Sequence, residues 1–121
     1  MKKTELGSWG ESLAAEVLER EGYRILGRNF RCRFGEIDLI ARKGNVLAFV
    51  EVKLRKSGLY GEAREFVTFS KQQKLRSTAA FYLAGREWTQ TLQPRFDVLE
   101  IYAPRGTEGR VMTEHIEDAF S

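Results

Sequence analysis

Two carboxylates and a lysine could do chemistry together in this chain: Asp38, and Glu51 followed two residues later by Lys53. They stand on the two arms of a hairpin pattern, residues 35–41 and 46–53, joined through Arg42-Lys43-Gly44-Asn45. Both arms are rich in strand formers, and Gly-Asn is a two-residue hairpin signal. With Gly44-Asn45 as the turn, Asp38 lies opposite Glu51 and Glu36 opposite Lys53, with Cβ atoms about 5 Å apart. A looser four-residue turn pairs Asp38 with Phe49 instead. Asp38 and Glu51 still share a face, because side chains alternate with a period of two. Charges placed on so apolar a hairpin must be paired, hydrated or bound to metal.

Neighbouring carboxylates repel unless one takes a proton or a cation sits between them. No Cys/His cluster accompanies this pair, so its hard oxygen ligands favour Mg²⁺ or Mn²⁺ over zinc. Magnesium commonly takes one or two carboxylates together with substrate phosphate oxygens, and the backbone carbonyl of Val52 could add a ligand. Lys53, about 7 Å from Glu51 at Cβ, could orient an attacking water and stabilise the negative charge of a transition state. The competing structural account is an ion pair of Lys53 with Glu36 or Glu51 on a half-exposed sheet.

The elements that must position these groups are readable in outline. Ser8-Trp9-Gly10-Glu11 has the capping-box pattern, which predicts a helix from Ser8 to about residue 21, with Gly22 as its stop. Ala14, Ala15 and Leu18 form its inner side. Glu11 lies one turn earlier on that side, either as the capping partner or as a carboxylate aimed at the sheet. Residues 23–30 read as a first strand. A second helix is expected from Ser70, with Gln73 in the capping position, to about residue 86. Its inner stripe is Leu75, Thr78, Ala79 and Tyr82, and Lys71 falls on that stripe, where snorkelling to solvent is its expected fate. Residues 95–102 read as a strand starting after Pro94, and residues 111–116 as a short edge strand. Asp97 and Glu100 fall on opposite faces and show no evident pair. His115, the only histidine, has no carboxylate or cysteine at ligand spacing and reads as structural. The order helix, three strands, helix, strand predicts an α/β fold, a mixed sheet flanked by helices, in one domain over residues 1–121.

The net charge of +3 is unevenly distributed. The basic excess lies over residues 24–56, whose only acids are Glu36, Asp38 and Glu51. A basic rim around an acidic centre suits a polyanion handled at a cation site; a solvated basic surface is the plainer account. The stretch 54–64, with basic residues around Tyr60 and two glycines, reads as a loop that could close over a phosphate backbone or merely connect. No stretch is long and apolar enough to span a membrane. The single cysteine and the polar N-terminus predict a cytoplasmic protein.

The string Gly10-Glu11, Ala14, Leu18, Gly22-Tyr23, Asn29-Phe30-Arg31, Gly35-Glu36-Ile37-Asp38-Leu39-Ile40, Phe49-Val50-Glu51-Val52-Lys53 and Arg55 is similar to the YraN-like family of small bacterial proteins. Lys71, Ala80 and Arg95-Phe96-Asp97-Val98 match as well, so the resemblance covers nearly the whole chain. More widely, Asp38 with Glu51-x-Lys53 resembles the core of the PD-(D/E)xK nuclease superfamily, in its Holliday-junction resolvase-like branch. Ile37 stands where the motif's name has proline. The Gln-x-x-x-Tyr motif of exonuclease-type branches is missing from the second helix. The resemblance implies a restriction-endonuclease-like core in the order α-β-β-β-α-β. It implies Asp38 and Glu51 as metal ligands, Lys53 as catalytic lysine and Glu11 as the helical glutamate that joins the metal site. The function so implied is a Mg²⁺- or Mn²⁺-dependent endonuclease acting on DNA, at branched or structured sites. Arg31, Arg33, Arg55, Lys56 and Lys71 are the residues expected to meet the nucleic-acid backbone, and a two-fold homodimer would suit a branched substrate. The alternatives are a non-catalytic nucleic-acid-binding module on the same scaffold and a protein-interaction factor whose acidic pair is structural.

Overall fold

The hairpin closes with the tight turn. Lys43 pairs with Val46, and the ladder runs back to Leu39 with Val50, so Gly44 and Asn45 are the whole loop. Gly44, at φ 60°, takes the left-handed position that such a turn requires. The looser turn is thereby excluded. The structure, a computed structural model, describes residues 3–55 and 67–121, with side chains from residue 5 onward. Lys56 and most of the expected 54–64 loop lie outside the described residues.

The elements are α1 (Lys3–Arg20), β1 (Arg24–Cys32), β2 (Gly35–Lys43), β3 (Val46–Arg55), α2 (Phe69–Ala84), β4 (Gln93–Tyr102) and β5 (Met112–Phe120), with a 3₁₀ turn at Glu87–Thr89 before β4. The five strands form one mixed sheet in the order β1-β2-β3-β4-β5. The β3–β4 pair is parallel and the others are antiparallel. A parallel pair needs a crossover connection, and α2 lies within it. The fold is α/β, and its element order is that of a restriction-endonuclease-like core carrying one further edge strand.

Both faces of the sheet are covered. On one, Ala14, Ala15 and Leu18 of α1 pack on Leu39, Ala41, Ala48, Val50, Leu99 and Ile101. On the other, Leu75, Ala79 and Tyr82 of α2 pack on Ile37, Ile40, Leu47, Phe49 and Val98. Central strands buried on two faces carry apolar residues at successive positions, which is why β3 and β4 read as nearly continuous hydrophobic runs. Among the described residues no helix is long and apolar enough to cross a membrane.

Both expected helix starts shift. Ser8 lies inside α1, which begins at Lys3; packing of Trp9 and Leu13 against the core outweighs a local capping pattern. The cap of α2 is Thr68, whose hydroxyl accepts from the Lys71 amide at 3.1 Å, and not Ser70. The end of α1 is as expected. Gly22 at φ 97° closes it, with Tyr23 N–H donating to Leu18 O and Gly22 N–H to Glu19 O. The last strand is longer than residues 111–116 and reaches Phe120.

One irregularity positions the site. Ile37 and Leu39 are two residues apart in β2, yet Ile37 packs in the α2 half of the core and Leu39 in the α1 half. Strand alternation therefore breaks at Asp38. In β1, the residue between the pairs Arg28–Leu39 and Phe30–Ile37 is Asn29, at φ 51°. Asparagine tolerates that left-handed conformation better than most residues.

Candidate metal centre

The β2–β3 ladder ends at Leu39–Val50, one pair short of Asp38 and Glu51. Beyond it the strands splay, and the Val52 N–H donates to Asp38 Oδ2 at 2.8 Å. A carboxylate thus takes an amide that continued pairing would give to a backbone carbonyl. The two carboxyls do meet, within hydrogen-bonding reach of each other. The reason differs from the one read in the sequence: the strands open around the pair, where unbroken alternation was expected to align it.

The electrostatic consequence is large. Burial, then the adjoining Glu51 carboxyl, pushes Asp38 up to about 7, against the pull of the Val52 N–H in the other direction. Glu51 is 8% exposed. Among the described residues its Oε2 is buried without a hydrogen bond, and the Lys71 ammonium stands 3.5 Å away. Lys71 therefore reaches the site while keeping a side chain that is 42% exposed, so snorkelling is only half of its role.

Glu11 projects from α1 toward Asp38, near enough for the two charges to interact. Asn29 Nδ2 donates to Glu11 Oε2 at 3.1 Å. Desolvation raises the Glu11 pKa, helped by the charges of Asp38 and Glu36 and opposed by the Asn29 bond and Arg31. Since α1 starts well before Ser8, Glu11 is not a capping residue, and the inward-facing reading is the one that the structure matches. Asn29 was not singled out as a site residue in the sequence. A polar residue with αL tolerance inside a predicted strand was the available signal.

Lys53 lies two residues beyond Glu51 on the α2 face, with Glu100 as its partner in β4. Among the described residues no ion pair holds Lys53. Glu36 is bound instead by Arg31, at 2.6 Å, and Glu51 by Lys71, so neither ion pair of the structural account forms. Glu100 is fully buried and was missed as a neighbour of Lys53, because the sequence does not reveal the β3–β4 register. Arg31, Arg33, Lys71 and Lys74 line one groove with Phe34 and Glu36. Arg55 ends β3, paired with Tyr102.

The candidate donors are all oxygen: Asp38 and Glu51 adjoin, whereas Glu11 feels the Asp38 charge but the three carboxyls do not gather within 4.8 Å of one another. Two carboxyls are held so close that one resists ionisation, and a buried oxygen lacks a hydrogen bond. The Asp38–Glu51 pair fits a hard divalent cation of the Mg²⁺ or Mn²⁺ type, and Glu11 would have to move closer to join it.

A second polar cluster joins the end of α1 to the edge strand. Asp97, fully buried, receives Arg95 Nε at 2.8 Å and Nη2 at 2.7 Å and the Asp118 N–H at 3.0 Å. His115 lies between Asp97 and Glu21, with each ring nitrogen 2.7 Å from a carboxylate oxygen. Burial alone would lower the His115 pKa, but the two carboxylates hold it above its usual value. Burial alone would raise that of Asp97, but Arg95, His115 and the Asp118 amide hold it below the usual range. Glu117 also comes within 4.8 Å of Glu21 and His115, so the fold gathers ligand atoms that no spacing in the sequence announces. Arg95 lies 3.6 Å from Glu117. The histidine thereby links the segment after α1 to β5.

Comparison with known proteins finds one family. The model of the family described as "Uncharacterised protein family UPF0102" matches residues 10–101. A UPF0102 protein of Caldanaerobacter subterraneus is 46% identical over 119 residues, covering 98% of this chain and 96% of that protein. One from Symbiobacterium thermophilum is 48% identical over 115 residues, covering 95% of each chain. One from Rhodococcus jostii is 46% identical over 117 residues, also covering 95% of each.

Proposed function

The chain belongs to the uncharacterised protein family UPF0102, and from that premise we propose that it is a metal-dependent endonuclease of the PD-(D/E)xK type, hydrolysing phosphodiester bonds in DNA. The observation that carries this reading is the forced proximity of Asp38 and Glu51. A carboxyl raised to about 7 beside a buried oxygen without a hydrogen bond is costly in a protein that only needs a core. Asp38, Glu51 and Glu11 would hold Mg²⁺ or Mn²⁺. Bound there, the ion would supply Lewis-acid neutralisation of phosphate charge.

The remaining work falls to side chains. Asp38 is fixed by the Val52 amide and Glu11 by Asn29, so two of the three carboxylates are oriented before any ligand arrives. Lys53, beside Glu51, is placed to donate to a phosphate oxygen and to stabilise the negative charge that grows there during attack. Lys71 and the groove containing Arg31, Arg33 and Lys74 would hold the strand by charge, making binding fall steeply with salt. A purely binding module would gain nothing from acids that face phosphates.

The test is cleavage of labelled linear, single-stranded, flapped and four-way DNA with Mn²⁺ or Mg²⁺, beside Asp38→Asn prepared identically. Cleavage that is lost in the variant supports the nuclease. Equal cleavage by both proteins identifies a contaminant and overturns it. Salt-sensitive binding without any cleavage assigns the non-catalytic module instead.

A further inference from the structure

A line of aromatic rings, open at both ends and buried at Tyr82, runs from the β1–β2 turn over α2 to the 3₁₀ turn that follows it. Phe34 lies 6.2 Å from Phe81, Phe81 lies 6.4 Å from Phe30, Phe30 lies 5.2 Å from Tyr82, and Tyr82 lies 6.3 Å from Trp88. Three of the five rings remain open to solvent: Phe34 at 40%, Phe81 at 47% and Trp88 at 46%. Cations accompany the line. Arg33 stands 4.8 Å over Phe34, and Arg86 stands 3.9 Å over Tyr82 and 5.6 Å over Phe30.

The line joins the metal centre through shared residues. Phe34 lines the groove that also contains Arg31, Lys71 and Lys74, and Lys71 is the residue that reaches Glu51. Gly35 makes the approach possible. At φ 152° it carries no side chain, and a Cβ there would come within 3.1 Å of Thr78 Oγ1 on α2. From Phe34 to Asp38 is about 13 Å of extended strand.

Resting on the reading of this chain as a nuclease, we propose that the Phe34–Phe81–Trp88 strip is a stacking platform for unpaired bases, so that the substrate carries a single-stranded segment beside the bond to be cut. Exposed rings interleaved with arginines suit a strand whose every base offers a π-face and whose every phosphate is negative. A duplex, with its bases stacked inward, has nothing to place on those rings. A protein partner would supply apolar side chains but would have no use for the run of cations leading to Glu51.

Binding without divalent ion tests the platform apart from cleavage. The probes are a labelled oligothymidine, an abasic strand of equal length and charge, an oligouridine, an oligodeoxyuridine and a blunt duplex. The native protein should bind oligothymidine about tenfold more tightly than the abasic strand. Phe81→Ala should remove that preference and leave abasic binding unchanged. In a Trp9→Phe background, Trp88 fluorescence should be quenched by oligothymidine and not by the abasic strand. Oligouridine, read beside oligodeoxyuridine so that only the 2′-hydroxyl differs, separates sources: equal affinity means that ribose is accepted, and weaker affinity means selection of DNA. Equal binding of oligothymidine and abasic strand, or a preference that survives Phe81→Ala, overturns the platform even if DNA is cut. A base preference without any cleavage overturns the nuclease and leaves the platform standing.

Discussion

The Lys71 ammonium stands 3.5 Å from Glu51 Oε2, so a charge delivered by α2 faces a carboxylate delivered by β3. It would compete with a metal for that oxygen and attract the phosphate that the metal would bind. Lys71→Met should therefore act with opposite signs on two ligands. Mn²⁺ binding, followed by titration calorimetry, should tighten several-fold. Single-strand binding should weaken, and its slope of log K against log salt should fall by about one. Because Glu51 is buried and loses its counter-charge, the metal-free variant should also lose about 1–3 kcal/mol of stability.

Asp38 predicts how the metal-free protein responds to pH. Its folded pKa lies above the unfolded value, so its contribution is fully present below about pH 4 and is lost as pH rises through about 7. Asn at this position keeps an acceptor for the Val52 amide and carries no charge. Urea unfolding should show Asp38→Asn more stable than the native chain at pH 8, by about 1–3 kcal/mol, with the gap narrowing toward pH 4. A gap independent of pH would mean that Asp38 ionises normally.

Asn29 combines a backbone role with a side-chain role, and two variants separate them. Asn29→Ala loses both the αL tolerance and the bond to Glu11, and should lower stability by about 1–2 kcal/mol. Asn29→Gly restores the backbone freedom and should recover most of that loss. Neither variant orients Glu11, so both should weaken Mn²⁺ binding to a similar extent. Thermal unfolding and calorimetry on the same samples check the two effects.

The Asp97–His115 network predicts a stability window. The His115 pKa is raised, so its contribution is present below about pH 6.5 and fades as pH rises through the folded value. The Asp97 pKa is lowered, so its contribution is present above about pH 4 and fades in acid. The groups facing His115 are Glu21 just past α1, Asp97 of β4, Tyr23, and Glu117 of its own strand. The loss of stability caused by His115→Asn should be greatest near pH 5–6 and should shrink as pH rises through the folded His115 value. A loss constant across that range would show that shape, and not charge, holds the edge strand.

What the sequence reveals follows from how local the physics is. The Gly44-Asn45 turn and the stripe Leu75, Thr78, Ala79 and Tyr82 depend on neighbours a few residues away, and both form as read. Glu11 was placed inward by helical period alone. The helix starts were misplaced because a capping pattern at Ser8 or Ser70 is weak beside the packing of a whole face. Asp97, His115 and Glu21 find one another only after the sheet has assembled, and no spacing announces partners 94 residues apart. The break at Asp38 was equally hidden, since it needs Asn29 at φ 51° on the adjoining strand.

Because a side chain, and no carbonyl, receives the Val52 amide, that one backbone proton is wired to the charge on Asp38. Its resonance should shift when Asp38 gains or loses a proton, and again when a cation draws the carboxylate away. Every variant retains this amide, and no substrate is needed to observe it in nitrogen-15-labelled protein. The distortion that holds the strands apart thus equips the site with its own spectroscopic indicator, one that reports occupancy whether or not any bond is cut.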